Sequence, residues 1–74
     1  MSNKTITMIL DDIQNRIPLI EEIIDKRMDY YNNRSEKWQE SDKSYDHQDK
    51  TDLLEHAKED LESAITYLEE FINA

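Results

Sequence analysis

The chain has 74 residues, of which 36% are charged and 36% hydrophobic, and its 18 acids and 9 bases give a net charge of −9. It contains no cysteine and no glycine, which excludes disulfide scaffolds, thiolate chemistry, zinc fingers and glycine-rich phosphate loops. The acidic balance argues against binding to nucleic-acid phosphates, so we expect no direct contact with nucleic acid.

The first residues carry no pattern typical of a secretory signal or a membrane anchor. A short apolar stretch ends at Asp11 and Asp12, and no small-residue cleavage site follows it. The later apolar run at 17–24 contains two glutamates and is far shorter than the roughly 20 residues that span a bilayer. We therefore expect a soluble, cytoplasmic protein with no membrane contact.

Apolar residues in the first half recur at the three- and four-residue spacing of an amphipathic helix. The row is Ile6, Leu10, Ile13, Ile17, Ile20, Ile24, Met28, Tyr31, Ser35 and Trp38. Pro18 interrupts it, because proline lacks a backbone N–H and is best placed in the first turn of a helix, where Asn15 can act as the N-cap. The pattern predicts a short helix at about 4–14 and a long helix at about 16–42; the alternative is one continuous, kinked helix.

A second row of apolar residues predicts another helix, at about 46–73. Its members are Leu54, Ala57, Leu61, Ala64, Leu68 and Phe71. Between the two rows, residues 43–46 lack apolar positions and contain the capping residues Ser44 and Asp46, which predicts a turn there. A short connection brings helices back antiparallel and would place Tyr31 across from His56. The sequence therefore predicts an all-α fold: one helical domain over 1–74, built as an antiparallel helical hairpin with a short N-terminal helix.

The apolar surface of the first half is wider than one partner helix can cover. Ile17, Leu19, Ile20, Ile23 and Ile24 fall on more than one face of a helix. Each buried Ile or Leu contributes about 1.5–3 kcal/mol, and exposing several leaves an adhesive patch. Either the N-terminal helix folds back onto the pair or a second copy completes a bundle; we expect a homo-oligomer, with a dimer favoured.

Residues 34–41 read RSEKWQES and are followed by Lys43, Tyr45, Lys50, Thr51 and Leu54. This pattern resembles short uncharacterised helical-hairpin proteins of phages and mobile elements, over residues 30–55. The resemblance implies that the segment spans one helix end, the turn and the next helix start, and it implies no biochemical activity. The family pattern has a glycine after the lysine, where this chain has Ser44.

Aromatic and basic residues near the predicted turn form a candidate binding tip. Its members are Tyr31, Arg34, Lys37, Trp38, Lys43 and Tyr45. Arginine and tryptophan together can hold a planar anion such as a nucleotide by stacking and charge-assisted hydrogen bonds. The competing interpretation is that Trp38 and Tyr31 are simply core residues at the narrow end of the helix pair.

Carboxylates on the last helix form a candidate acidic face that could imitate a nucleic-acid backbone. Its members are Asp46, Asp49, Asp52, Glu55, Glu59 and Glu62. Residues 44–74 have 9 acids and 2 bases, a net charge of −7, against 9 acids and 7 bases in residues 1–43. The competing interpretation is a solvated face that keeps the protein soluble.

Neither histidine belongs to a recognisable metal or catalytic motif. His47 and His56 lack a glutamate three residues earlier, so the Glu-x-x-His pattern of di-iron bundles is missing. We expect no metal, no cofactor and no enzymatic activity. The sequence favours a non-catalytic helical interaction protein that binds another macromolecule; the alternatives are an acidic decoy for a DNA-binding protein and a nucleotide-sequestering protein.

Overall fold

The computed structural model describes residues 3–74, and every regular element in this range is a helix. Helix α1 spans Asn3–Asn32, the single turn α2 spans Glu36–Gln39, and α3 spans Asp42–Asn73. The prediction of an all-helical chain is confirmed. The two long helices pack along each other in a rod with extents of 54 × 15 × 14 Å.

Helix α1 runs through Pro18 without interruption, so the predicted break at residues 14–16 is wrong and there is no separate N-terminal helix. Proline inside a helix costs about 3 kcal/mol, because it removes one hydrogen bond and crowds the preceding turn. Ile6 and Leu10, which lie before Pro18, are both buried in the continuous helix, and each contributes about 1.5–3 kcal/mol. Their burial outweighs the cost of the proline, whose ring is exposed.

The chain reverses at residues 33–41, before the predicted turn at 43–46, so the predicted helix at 16–42 is also wrong. Ser35 caps α2 by accepting a hydrogen bond from the Trp38 backbone N–H at 3.2 Å, and Ser41 is the N-cap residue of α3. Gln39 donates through Nε2 to the carbonyl oxygens of Tyr31 and Arg34, at 3.0 and 3.3 Å. These carbonyls lie at the end of α1, so the glutamine satisfies acceptors that a helix terminus leaves unpaired.

No residue in the described range has a positive φ, so the turn is built without the left-handed conformation that glycine favours. Ser44 is fully buried inside α3. Its hydroxyl donates to the carbonyl oxygens of Gln39 and Ser41, at 2.5 and 2.8 Å. Ser44 therefore links the start of α3 to the segment in which the chain reverses.

Contacts between the helices fix their direction and register. Arg27 Nε lies 2.8 Å from Thr51 Oγ1. Nearer the start of α1, Glu21 Oε1 lies 3.4 Å from Lys58 Nζ. The partner number rises as the α1 number falls, so the helices are antiparallel. His47, and not the predicted His56, lies at the level of the tyrosines at the end of α1, with its ring 5.3 Å from that of Tyr30. The earlier turn accounts for this shift in register.

Each long helix contributes one row of inward residues at alternating three- and four-residue spacing. All members are buried or half-buried: Ile6, Leu10, Ile13, Ile17, Ile20, Ile24, Arg27 and Tyr31 of α1, and Ser44, His47, Thr51, Leu54, Lys58, Leu61, Ile65, Leu68 and Ile72 of α3. Ala57 and Phe71, predicted for the row of α3, are exposed instead. The predicted Ala64 is half-buried beside Ile65, and Ile72 takes the inward position in place of Phe71.

Candidate functional site

The residues of the candidate tip do not converge on one site. Trp38 is half-buried at the centre of an aromatic cluster, with ring centroids 5.6 Å from Tyr30, 6.0 Å from Tyr31 and 5.8 Å from His47, all edge-to-face. Arg34 lies over the Tyr30 ring at 4.3 Å. These contacts make Trp38 a packing residue between the turn and both long helices.

The remaining tip residues are exposed and scattered. Lys43 lines an open groove of about 560 Å³ beside Trp38, together with Lys26 and Lys50. Tyr45 and Lys37 are exposed and line neither this groove nor the one on the other side of the helix pair.

A polar layer lies between the helices below the aromatic cluster, and sequence reasoning missed it. Arg27 donates to three acceptors: Thr51 Oγ1 at 2.8 Å, His47 Nδ1 at 3.3 Å and the His47 carbonyl oxygen at 2.9 Å. Thr51 Oγ1 donates to the same carbonyl at 3.0 Å. Met28 was assigned to the inward row of α1 because it is hydrophobic. The alternation of three- and four-residue steps, continued past Ile24, instead predicts an inward residue at position 27, so the spacing alone could have identified Arg27.

The contacts of His47 identify its tautomer. Its Nε2 lies 2.9 Å from the Arg27 carbonyl oxygen, which can only accept a hydrogen bond. Its Nδ1 faces the Arg27 guanidinium, which can only donate. His47 is therefore the neutral Nε2–H tautomer, and its ring ties the backbone of α1 to α3. This role is structural, because both ring nitrogens are already used.

One side of the helix pair is an apolar face. In antiparallel helices, the residues that immediately precede the two inward rows project to the same side. Seven of the ten exposed large apolar residues in the described range occupy such positions: Ile9, Leu19, Ile23 and Tyr30 of α1, and Leu53, Tyr67 and Phe71 of α3. The groove beside Trp38 confirms the geometry at the turn end, because Ile23, Lys26 and Tyr30 line it together with Asp46 and Lys50.

The opposite side is an acidic face formed by the residues that immediately follow the inward rows. It comprises Asp11, Glu21 and Asp25 of α1, and Asp52, Glu55, Glu59, Glu62 and Glu69 of α3. Glu21 and Asp25 line a shallow groove together with Glu55 and Glu59, so carboxylates of both helices meet here. These eight acids, together with Lys58 of the inward row, which pairs with Glu21 and Glu62, give this face a net charge of −7.

The residues of the candidate acidic face predicted from the sequence do not all lie on one face. Asp52, Glu55, Glu59 and Glu62 lie on the acidic face, whereas Asp46 lines the groove of the apolar face and pairs with Lys50 at 3.3 Å. The three-residue steps at the start of the stripe rotate around the helix axis, because a helix repeats every 3.6 residues. Asp49 consequently lies on the outer side of α3, between the two faces.

Lys58 is the one lysine of the inward row of α3, and it extends toward the acidic face. Its Nζ lies 3.4 Å from Glu21 Oε1 across the helix pair and 3.8 Å from Glu62 Oε1 along α3. The hydrogen bond and charge attraction of Glu21 raise the pKa of Lys58 above its usual value of 10.5. The amine is therefore protonated at neutral pH, and it offsets part of the repulsion among the surrounding carboxylates.

Comparisons with known proteins add no relative: no family model, no curated protein and no solved structure matches the chain. Within residues 3–74, no helix is long and apolar enough to cross a membrane. The same residues contain no group of three or more histidine, aspartate or glutamate side chains placed to hold a metal ion.

Proposed function

We propose that the chain is a non-catalytic helical interaction protein, of the kind that phages and mobile elements encode, and that it binds another protein through its apolar face. The observation that supports this proposal is the segregation of exposed apolar side chains. Seven large apolar residues share one face, while eight acids from both helices occupy the other. Soluble monomers rarely expose a large apolar patch unless it binds something.

The surface of the chain supports binding more than catalysis. The ionisable groups of the polar layer bond to each other, and the grooves on either side are shallow and open. A helix face with apolar residues at heptad spacing is suited to a complementary helix of a partner, as in grooves that bind amphipathic helices and in helical bundles.

Two substitutions on α1 test the binding face as a matched pair. Ile23 and Met28 have exposed fractions of 48% and 49%, but they lie on the apolar and acidic faces respectively. We expect Ile23→Glu to abolish complex formation, because the new carboxylate is desolvated in the complex, and Met28→Glu to leave it within about two-fold of wild type.

The measurement is co-purification of proteins from the source cells with the tagged chain, including an untagged second copy of the chain itself. Circular dichroism melting of both variants controls for folding. Complexes that survive Ile23→Glu, or that both substitutions disrupt equally, contradict binding through the apolar face.

A second candidate function, an acidic decoy for a DNA-binding protein, is favoured by the meeting of carboxylates from both helices in one groove. Like charges at this spacing repel each other, and a target with a basic surface would offset this repulsion on binding. Amide substitution of Asp52, Glu55, Glu59 and Glu62 should then reduce affinity for the captured target at least 100-fold. Raising salt from 50 to 200 mM should weaken binding by at least ten-fold, as expected for a polyanion mimic. An affinity that is insensitive to salt contradicts this function.

A further inference from the structure

We infer that the partner of the apolar face is a second copy of the same chain, docked about a two-fold axis with the two turns at opposite ends of the assembly. This inference rests on the proposed function, since it names the occupant of the same face. The resulting assembly is a four-helix bundle in which both acidic faces point outward.

The part of the face away from the turn is large enough for a dimer contact. The helix pair is 54 Å long and about 15 Å wide. An overlap of residues 3–25 of α1, which leaves the lysines near the turn in water, is about 33 Å long at a rise of 1.5 Å per residue and covers roughly 500 Å² on each partner. The two partners together then bury about 1,000 Å², the size at which a specific interface begins.

Charge determines which face can meet its own copy. The positions of the apolar face include the bases Arg16, Lys26, Lys43 and Lys50 and the acids Asp12, Asp46 and Asp60, a net charge of +1. The acidic face, at −7, repels its own copy. Of these two long faces of the described residues, the near-neutral one is also the apolar one, so two copies can approach each other there without charge repulsion.

The order of residues along the apolar face is close to a palindrome on α1. From one end, Ile9 and Asp12 are followed by Arg16 and Leu19, with a midpoint near residue 14. A two-fold axis at this midpoint, perpendicular to the helices, places Asp12 against Arg16 of the second copy and Ile9 against its Leu19. Within one chain Arg16 already pairs with Asp12 at 3.4 Å, so the two carboxylates and two guanidinium groups form one neutral cluster.

The register of the helix pair places the same axis near residue 64 of α3, because Arg27 lies opposite Thr51 and Glu21 lies opposite Lys58. The small Ala57 then meets the large Phe71 of the second copy. Large side chains opposite small ones are what interdigitating helices require.

The alternative two-fold arrangement places both turns at the same end, and it brings like charges together there. At that end the groove of the apolar face is lined by Lys26, Lys43 and Lys50. With a two-fold axis along the rod, Lys26 of each copy lies against Lys50 of the other copy. With the turns at opposite ends, these lysines lie beyond the region of overlap and remain in water.

The orientation is measured by pulsed electron spin resonance on one labelled position. Lys37→Cys introduces the only thiol of a chain that has no cysteine, on the exposed side of α2. With the turns at opposite ends, a rise of 1.5 Å per residue gives a distance of about 65 Å between the two labels. A distance below about 25 Å, which corresponds to turns at the same end, overturns the inference, and so does a solution without any intermolecular distance.

A charge swap provides a second, independent measurement by sedimentation equilibrium. Arg16→Asp should weaken dimerisation at least ten-fold, because it faces Asp12 of the other copy, and the added substitution Asp12→Arg should restore it. With the turns at the same end, Arg16 faces Asp60 instead, so Asp12→Arg restores nothing. A monomeric wild type that still loses a captured foreign protein on Ile23→Glu refutes the dimer but leaves the proposed function standing; a monomer whose capture ignores Ile23→Glu refutes both.

Discussion

Arg27→Met should destabilise the protein by about 3 kcal/mol, although it replaces a charged residue by an apolar one of similar length. The substitution removes all three hydrogen bonds that Arg27 donates and leaves the His47 Nδ1 without a partner between the helices. A buried polar group that loses its partner costs about 1–3 kcal/mol, which exceeds the gain from burying the methionine side chain at a half-buried position. Urea unfolding followed by circular dichroism measures the loss.

Replacement of the whole polar layer should have the opposite outcome. In Arg27→Leu/His47→Phe/Thr51→Val no polar side chain of the layer remains to be satisfied, and the phenylalanine can keep the stacking on Tyr30. Buried charged networks replaced by apolar residues are commonly neutral or stabilising by about 1–4 kcal/mol. The loss in Arg27→Met is attributed to polar groups left without partners. A triple variant that is less stable than Arg27→Met alone would contradict this explanation.

Trp38→Ala should cost about 2–4 kcal/mol, which distinguishes a packing role from a ligand-binding role. The ring is half-buried and contacts three other rings from both long helices, so truncation removes the packing that joins the turn to the rod. A ring displayed on the surface for a nucleotide would cost under about 0.5 kcal/mol when removed. Thermal denaturation of wild type and variant gives the difference.

The same samples test the nucleotide hypothesis for the tip. Since the Trp38 ring already packs against three other rings, we expect no increase in melting temperature with mono- or cyclic nucleotides at millimolar concentration. A clear increase that Trp38→Ala removes at unchanged stability would contradict the packing role and favour a ligand site.

Hydrophobic periodicity predicted the apolar half of the rod correctly, and it failed where polar residues take core positions. The row from Ile6 to Ile24 is inward as expected, because its six apolar residues lie on one side of the helix and that side is the one buried. Beyond Ile24, Met28 is more hydrophobic than Arg27, but the register of α3 supplies Thr51 and His47 at that level. Such a pairing depends on both helices at once, and one helix read alone cannot show it.

The turn and the two faces were missed for a related reason. Ser35, Gln39 and Ser41 act through hydrogen bonds to backbone groups near the turn, and hydrophobic spacing is blind to these bonds. On α3, two adjacent apolar rows fit the helical repeat about equally well, and the choice between them follows from the register with α1. Ala57 and Phe71, which the core does not use, lie on the apolar face together with Tyr67.

The central claim is that the apolar face is covered in solution by a second copy of the chain. Sedimentation equilibrium of the unmodified protein, at concentrations from 1 to 300 µM, tests it most directly. We expect a mass of twice 8.9 kDa over most of this range, with Ile23→Glu shifting the protein to a single chain while it stays helical. A wild-type protein that stays at 8.9 kDa up to the highest concentration would contradict the claim.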